Sequence, residues 1–300
     1  MAFVLNDTEN AEQELHICAN QKRINFLKLK ANQIRQQTLK VIYYGGSGHP
    51  GGSLSATDIM TALYFDIMKH DPKYPHLPDR DRFVLSKGHA CPALYVILAE
   101  CGYYSKEELR GFRQIGRMLQ GHPEYGIPGI EVPTGSLGQG FSSSVGIALG
   151  LKLQNIPARV YVLLGDGELQ EGQVWEAALF ASHQRLGNLT IFIDYNKMQQ
   201  DGFIEDTCTL EPLAQKWQAF NWHVESINGH DFQEILESVN QAKQIQDRPQ
   251  VIIAHTIKGK GVSFMENVPR WHGTKPPTPQ ELETALQELQ EEETWLKQNL

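Results

Sequence analysis

The sequence predicts an α/β protein in which a mostly parallel β-sheet is flanked by helices. Two short runs, residues 160–164 and 189–193, are predominantly apolar, as expected of strands buried on both faces of a parallel sheet. Residues 174–184 between them have a helical pattern, so the three segments form one βαβ unit. No linker rich in Pro or Ser divides the chain. We therefore expect a flexible N-terminal segment over residues 1–20, one α/β domain over 21–275 and a C-terminal helix over 276–300.

The remaining elements follow from the same patterns. Apolar residues at helical spacing predict an amphipathic helix over residues 24–41. A capping motif at Ser105 to Glu108 predicts a surface helix over 105–119, and a second at Thr278 to Glu281 starts the C-terminal helix. Further strands are expected at residues 81–85, 222–227 and 250–254, further helices at 57–68, 92–101, 141–153 and 232–245, and a loop and helix within 201–220.

Composition limits the class of function. Of 300 residues, 41% are hydrophobic and 21% charged, which is typical of a soluble globular chain with a large core. A net charge of −8 without a basic run argues against nucleic acid as a partner. No apolar stretch approaches the roughly 18 residues of a membrane-spanning helix, and the polar N-terminus lacks a signal-peptide core. The four cysteines have no CxxC spacing, so we expect reduced thiols in a cytoplasmic protein.

Polar turns follow both strands of the βαβ unit. Gly165-Asp166-Gly167 follows the first strand and Asn196 the second, at the strand ends where open α/β sheets bind ligands. The glycines allow backbone N–H groups to approach a polyanion, and Asp166 and Asn196 supply two hard oxygen ligands of the kind Mg²⁺ prefers. Gly-Asp-Gly alone is usually only a tight turn. However, the 28 residues between Gly167 and Asn196 match one βαβ crossover.

Four histidines occur in polar, mostly glycine-containing loops. A lone loop histidine is more often solvated, a helix cap or part of a core than a site residue. The glycine-rich turn 134–140 opens a helix, but by itself it is weak support for anion binding. Lys258 and Lys260 either steer anions or belong to a solvated loop, and we expect His223 and His255 to be structural. The four candidate histidines are His49, His89, His122 and His272.

Together these motifs resemble the transketolase family. Gly-Asp-Gly followed by Asn after 28 residues is similar to the thiamine-diphosphate signature, and SGHPGG, SKGHA, QGHP, GSLGQG and KGKGVSFMEN occur in family order. The resemblance covers about residues 25–275. It implies the thiamine-diphosphate-binding fold known as the PP module, and it implies a transferase.

The resemblance also implies roles for individual residues. Mg²⁺, with Ca²⁺ or Mn²⁺ as substitutes, would be held by Asp166, Asn196 and the carbonyl of Met198. Glu171 and Glu176 would line a proton path between paired active sites, although exposed helical glutamates are the simpler interpretation. The four histidines would move protons and hold sugar hydroxyls. The implied cofactor-binding residues are His89, Gly135, Ser136, Leu137, Gly165, Asp166, Gly167, Glu168, Asn196 and His272.

The length of the chain adds an expectation about partners. A transketolase is over twice this length and has a second module, which binds the aminopyrimidine and supplies a glutamate; only 27 residues follow Gly273. We therefore expect the N-terminal subunit of a split transketolase, active only with a C-terminal subunit, as an α2β2 assembly or with a homodimer of this subunit inside it. The pair would transfer a two-carbon ketol unit from a ketose or its phosphate to an aldose or its phosphate. Pentose-phosphate intermediates and a specialised ketose both remain open.

Three other functions compete with this one. A 2-oxo acid dehydrogenase α subunit or a deoxyxylulose-phosphate synthase would share the Gly-Asp-Gly and Asn pair, but we do not expect either to carry the SGHPGG and QGHPE histidines together. A metal hydrolase would need zinc-ligand spacing such as HExxH, which the histidines lack. A non-catalytic cofactor-binding subunit would not need an intact pair of Asp166 and Asn196.

Overall fold

A computed structural model describes residues 3–200, 202–273 and 275–299, with residues 3–19 described only as the backbone of a helix. The side chains of the expected flexible segment 1–20 lie, apart from residue 20, outside the described part of the chain. In the described residues the strands are β1 (Arg82–Leu85), β2 (Val160–Gly165), β3 (Leu189–Tyr195), β4 (Met198–Gln199), β5 (Gly202–Phe203), β6 (His223–Asn228) and β7 (Gln250–His255). Five of these pair in parallel in the order β1-β2-β3-β7-β6, and β4 forms a small antiparallel hairpin with β5 after β3. The predicted α/β fold class is confirmed.

Nine α-helices accompany this sheet in the part of the chain that the structure describes. They are α1 (Phe3–Tyr44), α2 (Pro50–Ala62), α3 (Cys91–Cys101), α4 (Gln139–Leu153), α5 (Gly172–His183), α6 (Ile204–Thr207), α7 (Leu213–Ala219), α8 (Phe232–Gln244) and α9 (Pro279–Asn299). Among the described residues no helix is both long enough and apolar enough to cross a membrane.

The central strands are mostly apolar because helices cover both faces of the sheet. Successive side chains of a strand point to opposite faces. Tyr161 and Leu163 of β2 therefore pack with α1, α2, α3 and α8, whereas Val162 and Leu164 pack with α4, α5 and α7. All residues of β2 and β3 are buried. Because helices cover both faces of the sheet, a polar site can form only at its edges, in the turns at the carboxyl ends of the strands.

The predicted surface helix over residues 105–119 is wrong. Only a 3₁₀ turn, Lys106–Gly111, forms, and the Ser105 hydroxyl accepts a hydrogen bond from the Glu107 amide at 3.3 Å. The chain then reverses, because Arg113 and Gly116 have φ values of +59° and +74° that an α-helix does not admit. The reversal closes a loop in which the Arg113 amide donates to the Leu119 carbonyl at 2.8 Å.

The C-terminal helix α9 begins at the capping motif predicted from the sequence. Its capping motif is confirmed, since Glu281 N–H donates to Thr278 Oγ1 at 3.2 Å and Thr278 N–H donates to Glu281 Oε2 at 2.9 Å. Leu282 and Leu289 pack against α1 and against Trp271 in the segment that follows β7. Helix α9 therefore supports the loop that carries Lys258 and His272.

Candidate active site

A cavity of about 370 Å³ lies at the carboxyl edge of the sheet. The turns after β1, β2, β3 and β7 line it together with the loop before α2 and the segment before α9. Of the residues predicted for the site, it brings together His49, His89, His122, Gly135, Leu137, Gly165, Asp166, Gly167, Glu168, Glu171, Asn196, Met198 and His272. Ser136 and Glu176 lie outside its lining.

Asp166 presents a buried carboxylate to this cavity, with 2% of the residue exposed. Its Oδ1 accepts a hydrogen bond from Gly167 N–H at 2.8 Å, and its Oδ2 accepts one from Lys197 N–H. Burial, followed by the negative charge of Asp194, raises the pKa of Asp166 to about 7. A cation placed beside this carboxylate would therefore relieve an unfavourable buried charge.

Asn196 ends the neighbouring strand. Its Oδ1 accepts from Met198 N–H at 3.2 Å, and its Nδ2 lies 3.3 Å from Asp194 Oδ2. The pairing of Gly165 with Asp194 sets Asp166 and Asn196 beside each other across two parallel strands. Asn196 and Asp166 line the same cavity.

A buried ion pair next to these residues was not predicted from the sequence. The Lys87 ammonium donates to Asp194 Oδ2 at 2.5 Å, and the two residues are 2% and 0% exposed. Ser55 and Thr256 hydroxyls also donate to the Asp194 carboxylate. Although burial opposes it, the Lys87 charge lowers the pKa of Asp194 below its ordinary value. In the sequence, this ion pair was indicated only by a lysine after one strand and an aspartate at the end of another. These two strands, β1 and β3, are separated by β2 in the sheet.

Lys258 and His272 form a second polar cluster on the cavity wall. Lys258 Nζ lies 3.2 Å from the Met198 carbonyl and 2.8 Å from His272 Nδ1, and Lys258 is only 2% exposed. Since an ammonium group only donates, His272 Nδ1 accepts and the neutral ring carries its proton on Nε2. Burial, with the Lys258 charge next, lowers the pKa of His272 to about 3.

The four histidines form one group of rings. The ring centroid of His49 lies 5.1 Å from that of His89, 6.3 Å from that of His122 and 5.7 Å from that of His272. Burial, followed by the charge of Arg113, lowers the pKa of His49 to about 4, and the same two causes lower the pKa of His122. Burial and Lys87 lower the pKa of His89 well below its ordinary value. All four imidazoles are therefore neutral at pH 7, able to donate at one nitrogen and accept at the other.

Glu168 lines the cavity, but protein groups already bind both of its carboxylate oxygens. Oε1 accepts from the Ser86 hydroxyl and from Gly138 N–H at 2.9 Å, and Oε2 accepts from Gly165 N–H at 3.0 Å. Burial raises the pKa of this carboxyl. Glu168 thus ties the glycine-rich turn to the ends of β1 and β2.

The glycine-rich turn comes close to the histidines. Gly135 has a φ of +153°, and a Cβ at this position would lie 3.1 Å from His122 Cδ2. Gly135 and Leu137 line the cavity, whereas Ser136 is exposed and does not. The backbone of this turn, with its missing side chain at Gly135, leaves room for a ligand beside His122.

Glu171 and Glu176 are separated by the structure. Glu171 lines the cavity, whereas Glu176 lies in a surface depression between α4 and α5. Both side chains are exposed in this chain. Beside them on α5, Leu179 and Phe180 are 62% and 46% exposed.

Comparison with known proteins identifies the family. The family model described as "Transketolase, thiamine diphosphate binding domain" matches residues 27–289. The chain belongs to the transketolase family. The resemblance inferred from the motifs is confirmed, and so is the expectation of a transferase-type enzyme.

Several relatives of this transketolase-family chain are named as subunits. The 6-deoxy-6-sulfo-D-fructose transketolase subunit SqwG of Clostridium sp. (strain MSTE9) is 49% identical over 89% of this chain and 97% of that protein. An apulose-4-phosphate transketolase subunit of Phocaeicola vulgatus is 40% identical over 90% of this chain and 95% of that protein. Human transketolase is also 40% identical, but the match covers 43% of its length.

Solved structures confirm the thiamine-diphosphate-binding fold. The transketolase from Campylobacter jejuni superposes with a TM-score of 0.80 at 33% identity, over 92% of this chain and 48% of that one. The transketolase from Leishmania mexicana gives a TM-score of 0.78 at 29% identity, over 92% of this chain and 46% of that one. The chain thus spans a little under half the length of these solved transketolases.

The residues present in this transketolase-family chain fit a magnesium ion and a diphosphate. A carboxylate, a side-chain amide oxygen and a backbone carbonyl are hard oxygen donors, which suit Mg²⁺. The raised pKa of Asp166 shows that its carboxylate is not fully stabilised by its two N–H donors. Lys87 and Lys258 line the same cavity, and their positive charges complement an anion.

Proposed function

We propose that the chain is the diphosphate-binding subunit of a two-subunit transketolase, which holds thiamine diphosphate through Mg²⁺. The observation that carries this proposal is the meeting of Asp166, Asn196 and the Met198 backbone at one cavity, with two lysines beside them. Asp166, Asn196 and the Met198 carbonyl would hold the ion. The ammonium groups of Lys87 and Lys258 would complement the diphosphate.

When bound, the cofactor supplies the electron sink that a two-carbon transfer from a ketose to an aldose requires. This chain's own contribution is to hold ligands and handle protons. His49, His89, His122 and His272 are neutral at pH 7, so each ring can accept a proton from a sugar hydroxyl or donate a hydrogen bond to it. The His49 Nδ1 atom is buried and has no hydrogen-bond partner among the described residues, which leaves it available to a ligand.

A partner subunit is part of the proposal. It rests on the near full-length match to proteins named as subunits, 97% of SqwG and 95% of the P. vulgatus protein. The partner would carry the pyrimidine-binding module. The exposed Glu171, Glu176, Leu179 and Phe180 support an α2β2 assembly in which α5 and the turn before it are covered. The free thiols of Cys91, Cys101 and Cys208 support a reducing, cytoplasmic location.

The substrate class follows from the same relatives. One is named for a sulfonated fructose and the other for apulose 4-phosphate. We therefore propose a ketose donor with an anionic end group, in preference to a 2-oxo acid. A transfer assay with ketose and 2-oxo acid donors separates transketolase from other enzymes that use this cofactor.

Thiamine diphosphate titrations of the chain, with and without Mg²⁺, test the metal site. The wild type should bind with Mg²⁺ and lose binding in EDTA, and Asp166→Ala should lose Mg²⁺-dependent binding while keeping its fold. His223→Gln is the matched control, because His223 lies at the other end of the sheet and pairs with Glu225. Unchanged affinity in Asp166→Ala would disprove the metal role.

Ketol transfer by the purified chain tests the partner requirement. The chain alone should not turn over a ketose and an aldose, and activity should appear when the co-purifying partner is added. Normal turnover without any partner would refute the two-subunit proposal.

A further inference from the structure

His230 lies outside the cavity, in the loop after β6, with 11% of its side chain exposed. Both of its ring nitrogens are bound. Nδ1 lies 2.7 Å from Asp58 Oδ2, and Nε2 lies 2.8 Å from the backbone nitrogen of Ile257. The ring therefore bridges α2 and the loop after β7.

The proton positions on this ring follow from its partners. The Ile257 amide can only donate, so Nε2 accepts and the neutral ring carries its proton on Nδ1. That proton is donated to Asp58, whose other partner is the Arg35 guanidinium at 2.6 Å. Burial raises the pKa of Asp58, but the charge of Arg35 and the hydrogen bond from His230 together outweigh burial and lower the pKa to about 2. Arg35 and Asp58 thus fix the ring in one tautomer.

Ile257 immediately precedes Lys258, the ammonium group that contacts the Met198 carbonyl and His272 Nδ1. Further bonds hold the loop on either side: Thr256 Oγ1 donates to Asp194, Gly259 N–H donates to the Gly51 carbonyl at 3.0 Å, and Asn267 N–H donates to the Lys258 carbonyl at 2.8 Å. Loss of the Ile257 bond would therefore loosen the backbone that aims Lys258 without releasing the whole loop.

We propose that His230, oriented by Asp58 and Arg35, is a positioning residue that holds the backbone of Ile257 so that Lys258 points into the cofactor cavity. It touches neither the cavity nor a metal ligand, and it acts through Lys258. The proposal rests on the proposed function for its effect on the cofactor, but the tautomer that it requires is a property of the chain alone.

The tautomer is tested first, on the wild-type chain without cofactor. Long-range ¹H–¹⁵N correlation spectra distinguish the two histidine tautomers, and the signals absent from His230→Gln identify the ring. The result expected at pH 7.5 is a proton on Nδ1 and a bare Nε2. A proton on Nε2, or a ring that averages between the two forms, would overturn the proposal whatever the chain binds.

Cofactor binding is tested next, with thiamine diphosphate and Mg²⁺. His230→Phe removes both bonds and should weaken binding by about tenfold or more, as is typical when an outer partner of a ligand-holding group is lost. His230→Gln keeps an acceptor and a donor about as far apart as the two ring nitrogens, so it should stay within about threefold of the wild type. His223→Phe, at the opposite end of the sheet, is the matched control.

A double-mutant cycle with Lys258→Met shows whether the effect passes through Lys258. If it does, His230→Phe should cause no further loss in the Lys258→Met background. Additive losses, or equal affinity of His230→Phe and wild type, would overturn the proposal. If the wild type itself fails to bind thiamine diphosphate with Mg²⁺, the proposed function fails instead, and the tautomer result still stands.

Discussion

Asp166→Asn should make the metal-free chain more stable at pH 8 while abolishing its Mg²⁺-dependent cofactor binding. The reason is the raised pKa of Asp166, about 7 against an ordinary value of 3.8. An acid whose pKa is higher in the folded state stabilises the fold while it is protonated. That contribution is complete below about pH 4 and is lost as the pH rises through 7.

The pKa difference sets the size of the effect. At 1.36 kcal/mol for each pH unit, a rise from 3.8 to about 7 corresponds to at most about 4 kcal/mol of lost stability at pH 8. The substituted amide keeps one acceptor oxygen for the two N–H groups of Gly167 and Lys197, so it gives up one hydrogen bond, worth about 1 kcal/mol. We expect a net gain of about 2–3 kcal/mol at pH 8. At pH 5, about 1.2 pH units above the ordinary pKa of 3.8, the wild type has lost only about 1.6 kcal/mol, so the net gain should fall below about 1 kcal/mol.

Urea unfolding in EDTA at pH 5 and pH 8 measures this difference, and the change between the two values isolates Asp166 from the other titrating groups. Adding Mg²⁺ and thiamine diphosphate at pH 8 should then stabilise the wild type and leave Asp166→Asn unchanged. Equal stability differences at both pH values would show that Asp166 is ionised without cost. The reasoning that links its buried charge to metal binding would then fail.

Three further substitutions probe the walls of the site. Lys87→Met removes the positive charge from a buried ion pair and should destabilise the chain by about 3–5 kcal/mol in urea at pH 7.5; a loss below about 1 kcal/mol would contradict the pairing. Glu168→Gln leaves one of the hydrogen bonds to the carboxylate unmade and should lower the free energy of unfolding by about 1–3 kcal/mol. The loss should appear as a lower urea midpoint with an unchanged slope. A variant as stable as the wild type would show that the three donors do not need the negative charge. Gly273→Ala would place a Cβ 2.2 Å from His49 Cδ2, so it should lower the affinity for thiamine diphosphate. Gly172→Ala is the control, because a Cβ there would have no neighbour within 4 Å and the affinity should not change. Equal affinities of the two variants would remove the proposed role of His49.

The fold was predictable in segments where the spacing of apolar residues fits either a strand or a helix clearly. The runs 160–164 and 189–193, which became most of β2 and β3, are apolar apart from Thr190, and the helix that became α5 lies between them with a clear pattern. The helix predicted over residues 105–119 does not form, because the capping motif at its start stabilises only the first turn. Ser105 caps a single 3₁₀ turn, and the positive φ of Arg113, which no propensity indicates for arginine, turns the chain back.

The lining of the candidate site was predictable as far as sequence motifs mark it. Asp166 and Asn196 are separated by one crossover, so a spacing rule finds them. The ion pair of Lys87 with Asp194 spans 107 positions, and the bond between His230 and Asp58 spans 172. Such pairs are set by which strand ends and helices the fold brings together, and no short-range pattern in the sequence encodes that.

Two buried aspartates at neighbouring positions of the sheet explain why a cation should bind at one and not at the other. Asp194 is saturated, because one ammonium and two hydroxyls donate to its oxygens, and its pKa lies below the ordinary value. Asp166 receives two backbone N–H bonds and lies in the field of Asp194, so its pKa is raised to about 7. Neighbouring carboxyls whose pKa values are displaced in opposite directions have different roles. A divalent ion would gain most beside the carboxylate that is held by two backbone N–H groups instead of an ammonium, so the polar network around Asp194 would direct the proposed metal ion to Asp166.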